Sequence, residues 1–438
     1  MFLLVVTAII GALAIGQPPG EVVSPAVRFT FVCLAMLVVV GQAAVTWRWR
    51  SLLEEEDEQP LWDGINTGVW AVLALFCVQI MRWPSLVRMH FGEAVPLGDE
   101  LLILGFLLLP LGVSGFFVSL PAMEADAEAW RTASRHTWMR MKLIIVLAVL
   151  PLLWVCGIDE ALASFWPHAA DADRTWAHVI GIGTLVFLFP LAMRLCWDAK
   201  PLAAGALRTR LEQIAADSRI RLRQILYWRT EDRMANAFVA GLVGWWRYVF
   251  ITDALLKVLD DDQVEMVFAH EMGHVARRHL SLRVLALLAP LSLLLLLAPW
   301  ISTSTDNLQA DGLALLQVAA VLCALAYFWL GLGWYSRRLE LEADLWSCRY
   351  MVRHSDLNWE ACVNRYAHAL ALLTDQRHWR RRGWLHPSLL ERRQFLIGQV
   401  ERPGGVVQFE ASMKAIAGLL WLTSGLGGFL LVVAACFG

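Results

Sequence analysis

Two histidines and a glutamate within five consecutive residues are the part of this sequence most able to do chemistry. They are His270, Glu271 and His274. Histidines four positions apart on a helix project from one face, which suits two imidazoles that bind one tetrahedral Zn²⁺. Glu271 projects beside them, where its carboxylate can take a proton from a metal-bound water. The spacing therefore predicts one zinc ion per chain and metal-assisted hydrolysis.

The residues before this motif predict the helix that positions it. Asp262 and Glu265 are spaced as a capping box, which marks a helix start. Apolar Val264, Val267 and Phe268 then recur at intervals that suit one buried helical face. We therefore expect both histidines to lie on a single helix.

A catalytic zinc also needs a third protein ligand and an open position for water. Glu340 and Asp344 are four residues apart in a polar segment that follows an apolar stretch. One of them can bind the metal while the other accepts the outer N–H of a ligand histidine. Glu342 lies on another helical face and receives no role. A helix with many glutamates and arginines next to a membrane would produce the same string without any metal.

Composition indicates the setting of this chemistry. Of the 438 residues, 58% are apolar and 17% are charged, and the mean hydropathy is +0.54. Soluble domains have about 45–50% apolar and about 25% charged residues. The sequence therefore predicts a mainly α, polytopic membrane protein that has the lipid bilayer as a partner. The net charge of −2 offers no basic field, so nucleic acid is not expected as a partner.

About nine stretches are apolar and long enough to be transmembrane helices. They are residues 1–16, 26–47, 62–81, 98–120, 141–158, 176–197, 284–301, 313–335 and 415–437. The first resembles a cleaved signal peptide as well as a span. The loop between the fourth and fifth stretches carries Arg131, Arg135, Arg140 and Lys142, which places it and the two long polar segments in the cytoplasm. The composition favours a bacterial inner membrane.

These stretches divide the chain into five parts. Residues 1–197 form a bundle of six spans, 198–283 the first polar segment, 284–335 a transmembrane hairpin, 336–413 the second polar segment and 414–438 a final span. The two polar segments can form one domain only if the hairpin brings them together. Their motifs would then share one site.

Four separated motifs make the sequence resemble a known family. They are His270-Glu271-x-x-His274, Ser336-Arg-x-x-Glu340-x-x-Ala343-Asp344, Asn236-Ala237-Phe238, and His386-Pro387-Ser388 followed by Arg392. In this order and spacing, they resemble the membrane zinc metalloproteases that include CAAX prenyl protease type 1 and the HtpX-type heat-shock protease. The resemblance covers roughly residues 200–400. It implies a gluzincin-like α+β zinc metalloprotease domain at the cytoplasmic face.

The resemblance also implies a role for each motif residue. It makes His270, His274 and Glu340 the zinc ligands, Glu271 the general base and Asp344 the partner of a ligand histidine. The segment that contains Asn236, Ala237 and Phe238 is implied to be the edge strand that binds substrate by strand addition. His386 is implied to be a catalytic residue and Arg392 a substrate-binding residue, both near the scissile peptide.

The expected function is a membrane-embedded zinc metalloendopeptidase. Its expected substrates are membrane or lipid-associated proteins, hydrolysed by a zinc-bound water that Glu271 activates. The sequence departs from the prenyl protease around the third ligand, where it reads Leu339-Glu340-Leu341-Glu342 rather than being rich in Phe. Two other classes stay open: a signalling receptor that retains a metalloprotease-like domain, and a non-catalytic membrane scaffold stabilised by zinc.

Overall fold

The fold is known from a computed structural model. It describes residues 24–53, 59–91, 97–121, 126–305, 326–373, 382–401 and 403–437, with short pieces at 319 and 322–323. The chain divides into two compact units, Met1–Asp198 and Ala199–Gly438. All four sequence motifs that could take part in metal binding, catalysis or substrate binding lie in the second unit.

The first unit is helical throughout its described residues. Its helices are α1 (Pro25–Leu53), α2 (Gln59–Leu75), α3 (Trp83–Phe91), α4 (Gly98–Ser119), α5 (Ala127–Ile144), α6 (Leu150–Phe165) and α7 (Asp171–Cys196). Single π-helical turns continue α2 (Phe76–Ile80) and join α5 to α6 (Ile145–Val149).

Among the described residues of this unit, five helical stretches are long and apolar enough to cross a bilayer. They are Pro25–Trp49, Asp63–Ile80, Gly98–Ser119, Ala127–Phe165 and Asp171–Cys196. Large apolar side chains such as Leu37 and Leu109 are more than half exposed on them, as expected for surfaces that face lipid. The prediction of a mainly helical protein with several apolar spans is confirmed.

These stretches coincide with the second to sixth spans predicted from sequence. The seventh predicted span lies in a helix at His279–Thr305 and the ninth in a helix at Pro403–Phe437. The first lies outside the described residues, and the eighth is described mainly from residue 326 onward. The number nine therefore stays a prediction, as do the cytoplasmic orientation and the five-part division.

The second unit combines a small sheet with helices. Its elements are β1 (Ala199–Pro201), α8 (Ala206–Asp217), β2 (Gln224–Trp228), β3 (Ala237–Ala240), β4 (Tyr248–Thr252), α9 (Asp253–Val258), α10 (Asp261–Ala276), α11 (His279–Thr305), α12 (Gly333–His354), α13 (Trp359–Leu373), α14 (Leu389–Glu401) and α15 (Pro403–Phe437). The strand order is β1-β2-β4-β3. Strand β4 runs parallel to β2 and antiparallel to β3.

Within the described residues, β3 has a sheet neighbour on one side only and is therefore an edge strand. Strand β4 is buried along its whole length, and the ring of Phe250 stacks on Phe238 with centroids 4.9 Å apart. Gly241 ends β3 with φ +110°, where an added Cβ would lie 2.5 Å from the carbonyl oxygen of Trp246. Only glycine fits that turn, which leads the chain from β3 back to β4.

Helix α10 begins two residues earlier than the sequence pattern indicated. Asp260 is its N-cap, and the side chains of Asp260 and Gln263 exchange hydrogen bonds with each other's backbone N–H. The predicted capping box of Asp262 and Glu265 is therefore wrong. Glu265 instead pairs with Arg210 at 2.7 Å.

Helices α10 and α12 cross closely at Gly273. A Cβ added there would lie 3.0 Å from the carbonyl oxygen of Ala343 and 3.2 Å from its Cα. Such separations are tighter than ordinary contacts, so the absence of a side chain lets the two backbones meet. Because Gly273 precedes His274 and Ala343 precedes Asp344, this crossing brings the two polar motifs together.

Candidate active site

Three candidate zinc ligands converge where α10 faces α12. The Nε2 atoms of His270 and His274 lie 3.0 Å apart. The carboxylate of Glu340 lies 3.6 Å from Nε2 of His270 and 3.5 Å from Nε2 of His274. Two nitrogens and one carboxylate therefore form a triangle whose atoms come from helices about 70 residues apart in sequence.

This triangle fits a zinc ion. Ligands about 2.0–2.1 Å from a tetrahedral zinc are roughly 3.3–3.4 Å from one another, close to the three observed separations. Two histidines and one glutamate are also a donor set found at catalytic zinc sites, where the fourth position is open. His270, His274 and Glu340 all line one cavity of about 1020 Å³, which leaves that side of the triangle accessible.

Asp344 supports the first histidine. Its Oδ1 lies 2.9 Å from Nδ1 of His270, and the hydroxyl of Tyr366 lies 2.9 Å from the same nitrogen. Burial favours the neutral imidazole, but hydrogen bonds to Asp344 and Glu340 raise the pKa of His270 to about 9. The surroundings of this imidazole thus favour a positive charge, which is supplied by a proton or by a metal ion.

Arg392 in turn holds Asp344. Its Nε donates to Oδ2 of Asp344 at 2.8 Å, and its Nη2 donates to Oδ1 and to the hydroxyl of Tyr366. The Asp344 side chain is fully buried and that of Arg392 is 12% exposed. Although burial opposes ionisation, Arg392 holds the pKa of Asp344 well below its usual range. The pair is therefore charged at neutral pH.

Two basic side chains from other elements contact Glu340. Arg283 at the start of α11 donates from Nη2 to Oε1 at 2.6 Å. Nδ1 of His386 lies 3.1 Å from Oε2, and the His386 side chain is 64% exposed. Burial opposes ionisation of Glu340, yet hydrogen bonds with His270 and His386 hold its pKa well below the usual range. The Glu340 side chain is therefore an anion at neutral pH.

Glu271 lies beside the triangle. One of its carboxylate oxygens and a nitrogen of each of His270 and His274 all lie within 4.8 Å of one another, in a group that could hold a metal. Burial raises the pKa of Glu271 to about 7. At neutral pH, this carboxyl group can therefore accept a proton and release it again.

A buried chain of side chains supports the second histidine. Nδ1 of His274 lies 2.7 Å from Nδ1 of His279, whose Nε2 lies 3.2 Å from Oε2 of Glu342. An ionised carboxylate only accepts hydrogen bonds, so Nε2 of His279 carries a proton and its Nδ1 accepts. His274 must then donate from Nδ1, which leaves the lone pair of its Nε2 free to bind a metal.

The edge strand β3 also lines this cavity. Residues 235–239 and Gly241 line it together with Glu271 and both histidines. An extended peptide in this cavity would therefore run beside β3 and next to the candidate zinc ligands. Asn236, Ala237 and Phe238 lie here, where sequence predicted a substrate-binding strand.

Comparison with known proteins agrees with this geometry. Residues 201–399 match the sequence model of peptidase family M48. Through this segment, the chain is similar to peptidase family M48. The resemblance drawn from the four motifs is thereby confirmed, and the M48 segment contains every residue of the predicted site.

Three curated relatives match parts of the chain. A "Protease HtpX homolog" of Aeropyrum pernix is 30% identical over 140 residues, which are 31% of this chain and 43% of the relative. Another of Thermoplasma acidophilum is 26% identical over 135 residues, 31% of this chain and 42% of the relative. An "Uncharacterized metalloprotease YhfN" of Bacillus subtilis is 25% identical over 186 residues, 41% of each protein. The chain thus spans about two fifths of the length of these relatives.

One solved structure is also similar. The crystal structure of S. mikatae Ste24p aligns with a TM-score of 0.46 and 16% identity. The alignment covers 83% of this chain and 98% of that one.

The structure brings most of the predicted site of the M48 segment together. His270, His274, Glu340, Glu271 and Asp344 all meet at one point, with roles that stay predictions. His386 reaches the same point through Glu340. Arg392 lines the cavity, and its guanidinium donates to Asp344 and to the hydroxyl of Tyr366.

Four supporting residues were not predicted from the sequence. They are Tyr366, Arg283, His279 and Glu342. Glu342 is on another face of α12 than Glu340, as predicted, but that face is buried against His279. A signal existed for His279, because it is a third histidine only five residues after His274. Tyr366 carries no comparable signal.

Proposed function

We propose that this protein is a zinc metalloendopeptidase that hydrolyses peptide bonds of membrane or lipid-associated proteins. One observation carries the proposal: the two Nε2 atoms and the Glu340 carboxylate converge beside Glu271 at a cavity that contains an edge strand. The match of residues 201–399 to peptidase family M48 supports the reaction class, and the apolar helices of the first unit support a membrane substrate.

The proposed ligand roles rest on the convergence of three donor groups. His270 and His274 would hold one Zn²⁺ through their Nε2 atoms, and Glu340 through its carboxylate, because these groups lie 3.0–3.6 Å from one another. When bound, zinc supplies a Lewis acid that acidifies a water and polarises the scissile carbonyl. The chain itself supplies orientation and proton transfer.

Glu271 acts as the general base in this proposal. It accepts the proton of the attacking water and then gives a proton to the leaving amine, which a pKa of about 7 favours in both directions. His386, exposed at the cavity, is placed to hydrogen-bond the oxyanion that forms on the carbonyl. No covalent intermediate is needed.

The substrate lies along β3 in an extended conformation. Because an edge strand presents unpaired backbone groups, a peptide can add to it through main-chain hydrogen bonds without one required side-chain sequence. We further propose that the active site faces the cytoplasm of a bacterial inner membrane, with the two polar segments as halves of one domain.

Metal removal tests the function. In liposomes, the chelated protein is expected to lose cleavage of a membrane-anchored reporter and to regain it with one equivalent of Zn²⁺. The same reporter without its anchor should be cleaved much more slowly. Cleavage that survives complete metal removal would refute the zinc mechanism, and equal cleavage of both reporters would refute the preference for membrane substrates.

We also propose that His279 and Glu342 position His274. Replacing Glu342 with Gln or His279 with Leu should weaken zinc binding about 10- to 100-fold, because the proton arrangement of His274 is no longer imposed. The dissociation constant would be measured by competition with a chromophoric chelator, and the visible spectrum of bound Co²⁺ would report altered ligand geometry.

Glu410→Gln is the matched control for this chain. Glu410 pairs with Arg277 at 3.0 Å, and Arg277 also contacts Glu342 at 3.5 Å, but no described contact joins Glu410 to His279. Zinc affinity in this control should equal that of the wild type. Unchanged zinc affinity in both Glu342→Gln and His279→Leu would show that the chain does not position the ligand.

A further inference from the structure

Among the charged residues that line the cavity of the candidate active site, positive ones outnumber negative ones. Its lining includes Arg219, Arg221, Arg247, Arg278, Arg283 and Arg392, against two glutamates, Glu271 and Glu340. Arg283 and Arg392 are paired with Glu340 and Asp344 in the catalytic centre. The whole chain has a net charge of −2, so the positive cavity arises from local arrangement rather than from composition.

Three of these arginines lie at the Gly241 end of the edge strand, and we name Arg219, Arg221 and Arg247 the arginine cluster. The guanidinium of Arg247 donates to the carbonyl oxygens of Gly241 at 3.2 Å and of Arg221 at 3.3 Å. A Cβ added to Gly244 would lie 2.9 Å from the Cβ of Arg221. The loop that contains Arg221 therefore packs directly against the turn that follows β3.

No ion pair joins the arginine cluster to the part of the chain that the structure describes. Among the described residues, no carboxylate lies within ion-pair distance of Arg219, Arg221 or Arg247. Arg247 is half-buried, and the partners of its guanidinium are carbonyl oxygens. Carbonyl oxygens balance only part of a full charge, so an anion beside the cluster would be bound favourably.

We propose that the arginine cluster binds a carboxylate of the peptide substrate, on the segment that extends past Gly241 when the peptide lies along β3. This rests on the proposed function, because it assumes a peptide in that position. The planar guanidinium matches a carboxylate in a bidentate manner, and the cavity walls strengthen the attraction by excluding part of the solvent. The carboxylate is an acidic side chain or the C-terminus of the peptide.

Four fluorogenic peptide pools test this inference on the zinc-loaded, full-length protein. The pools have the same length and apolar composition, contain either Glu or Gln at their polar positions, and carry either free or amidated C-termini. The wild type should cleave the free-acid Glu pool about tenfold more efficiently in kcat/KM than the amidated Gln pool. The difference should lie in KM and should shrink as salt is added.

The double variant Arg219→Gln/Arg221→Gln should lose this preference and keep wild-type kcat/KM on the amidated Gln pool. Arg223→Gln is the matched control, since Arg223 is two residues from Arg221 but does not line the cavity. If the wild type prefers Glu pools whatever their C-terminus, the bound carboxylate is an acidic side chain. If it prefers free-acid pools whatever their polar residues, the bound carboxylate is the C-terminus. In a charge-reversal arm, Arg221→Glu should favour a Lys pool.

Two failures are distinguishable. If the wild type cleaves all four pools with equal efficiency, the carboxylate site is refuted and the proposed function stands. If the zinc-loaded wild type cleaves neither a peptide pool nor the membrane-anchored reporter, the proposed function itself fails. A third result concerns the double variant. If it loses activity equally on all pools, and only in vesicles with anionic lipid, the cluster binds a phosphate headgroup and the peptide carboxylate is refuted.

Discussion

Replacing Glu271 with Gln is expected to lower kcat for peptide hydrolysis about 10²- to 10⁴-fold, while bound zinc stays at one ion per chain. Gln has the size of Glu but does not accept a proton from water. The candidate ligands His270, His274 and Glu340 keep their own supporting contacts in this variant. The variant should therefore lose catalysis while it still binds zinc.

The measurement is zinc content by atomic absorption alongside initial rates on one substrate preparation. Glu265→Gln is a matched control: it makes the same change on the same helix, where Glu265 pairs with Arg210 at 2.7 Å and does not line the cavity. Its zinc content and kcat should match those of the wild type. A circular dichroism spectrum would verify that both variants retain their helices.

Two results would contradict the assignment of Glu271. Unchanged kcat in Glu271→Gln would exclude it as the base that accepts the proton of water. Loss of zinc together with activity would show that Glu271 is needed to hold the metal, as its distance to both histidines would also permit. Only retained zinc with reduced kcat supports general base catalysis.

The helices of this protein were predictable where one local pattern decides them. Long apolar runs predicted the stretches at residues 26–47 and 98–120, because a bilayer leaves few alternatives to a helix. The start of α10 was predicted two residues too late. Asp260 with Gln263 and Asp262 with Glu265 have the same spacing, and the sequence pattern alone does not decide which pair caps the helix.

The site was predictable in so far as its residues share a helix. The four-residue spacing of His270 and His274 and of Glu340 and Asp344 places each pair on one face. Contacts between distant elements were not predictable in this way. Tyr366 meets His270 across 96 positions, and only the packing of α13 against α10 brings them together.

Arg392 is a second case in which tertiary contacts determine the role. Sequence resemblance placed it near the scissile peptide, but in the structure it holds Asp344 with two nitrogens. Replacing Arg392 with Met should therefore lower the free energy of unfolding by about 3–5 kcal/mol, because the buried charge of Asp344 is left without its partner. For a unit of 240 residues, Ala199–Gly438, this corresponds to an apparent Tm about 6–20 °C lower.

Thermal unfolding of the zinc-free protein at a fixed scan rate measures this effect without metal stabilisation. The control is Arg393→Met on the same helix, since Arg393 is exposed and its one described side-chain contact is with Asn364 at 3.4 Å. Its unfolding free energy should stay within about 0.5 kcal/mol of the wild type. If Arg392→Met keeps the unfolding free energy of the wild type but has a raised KM, Arg392 binds substrate instead.

The double variant Arg392→Met/Asp344→Asn separates stability from metal positioning. Removing both charges leaves no unpaired buried ion, so much of the lost Tm should return. The neutral amide still accepts a hydrogen bond from Nδ1 of His270, but more weakly than a carboxylate does. Zinc affinity should therefore stay below that of the wild type while Tm recovers. Recovery of both quantities would mean that the charge of Asp344 does not assist His270 in binding zinc, and that the Asp344–Arg392 pair serves packing alone.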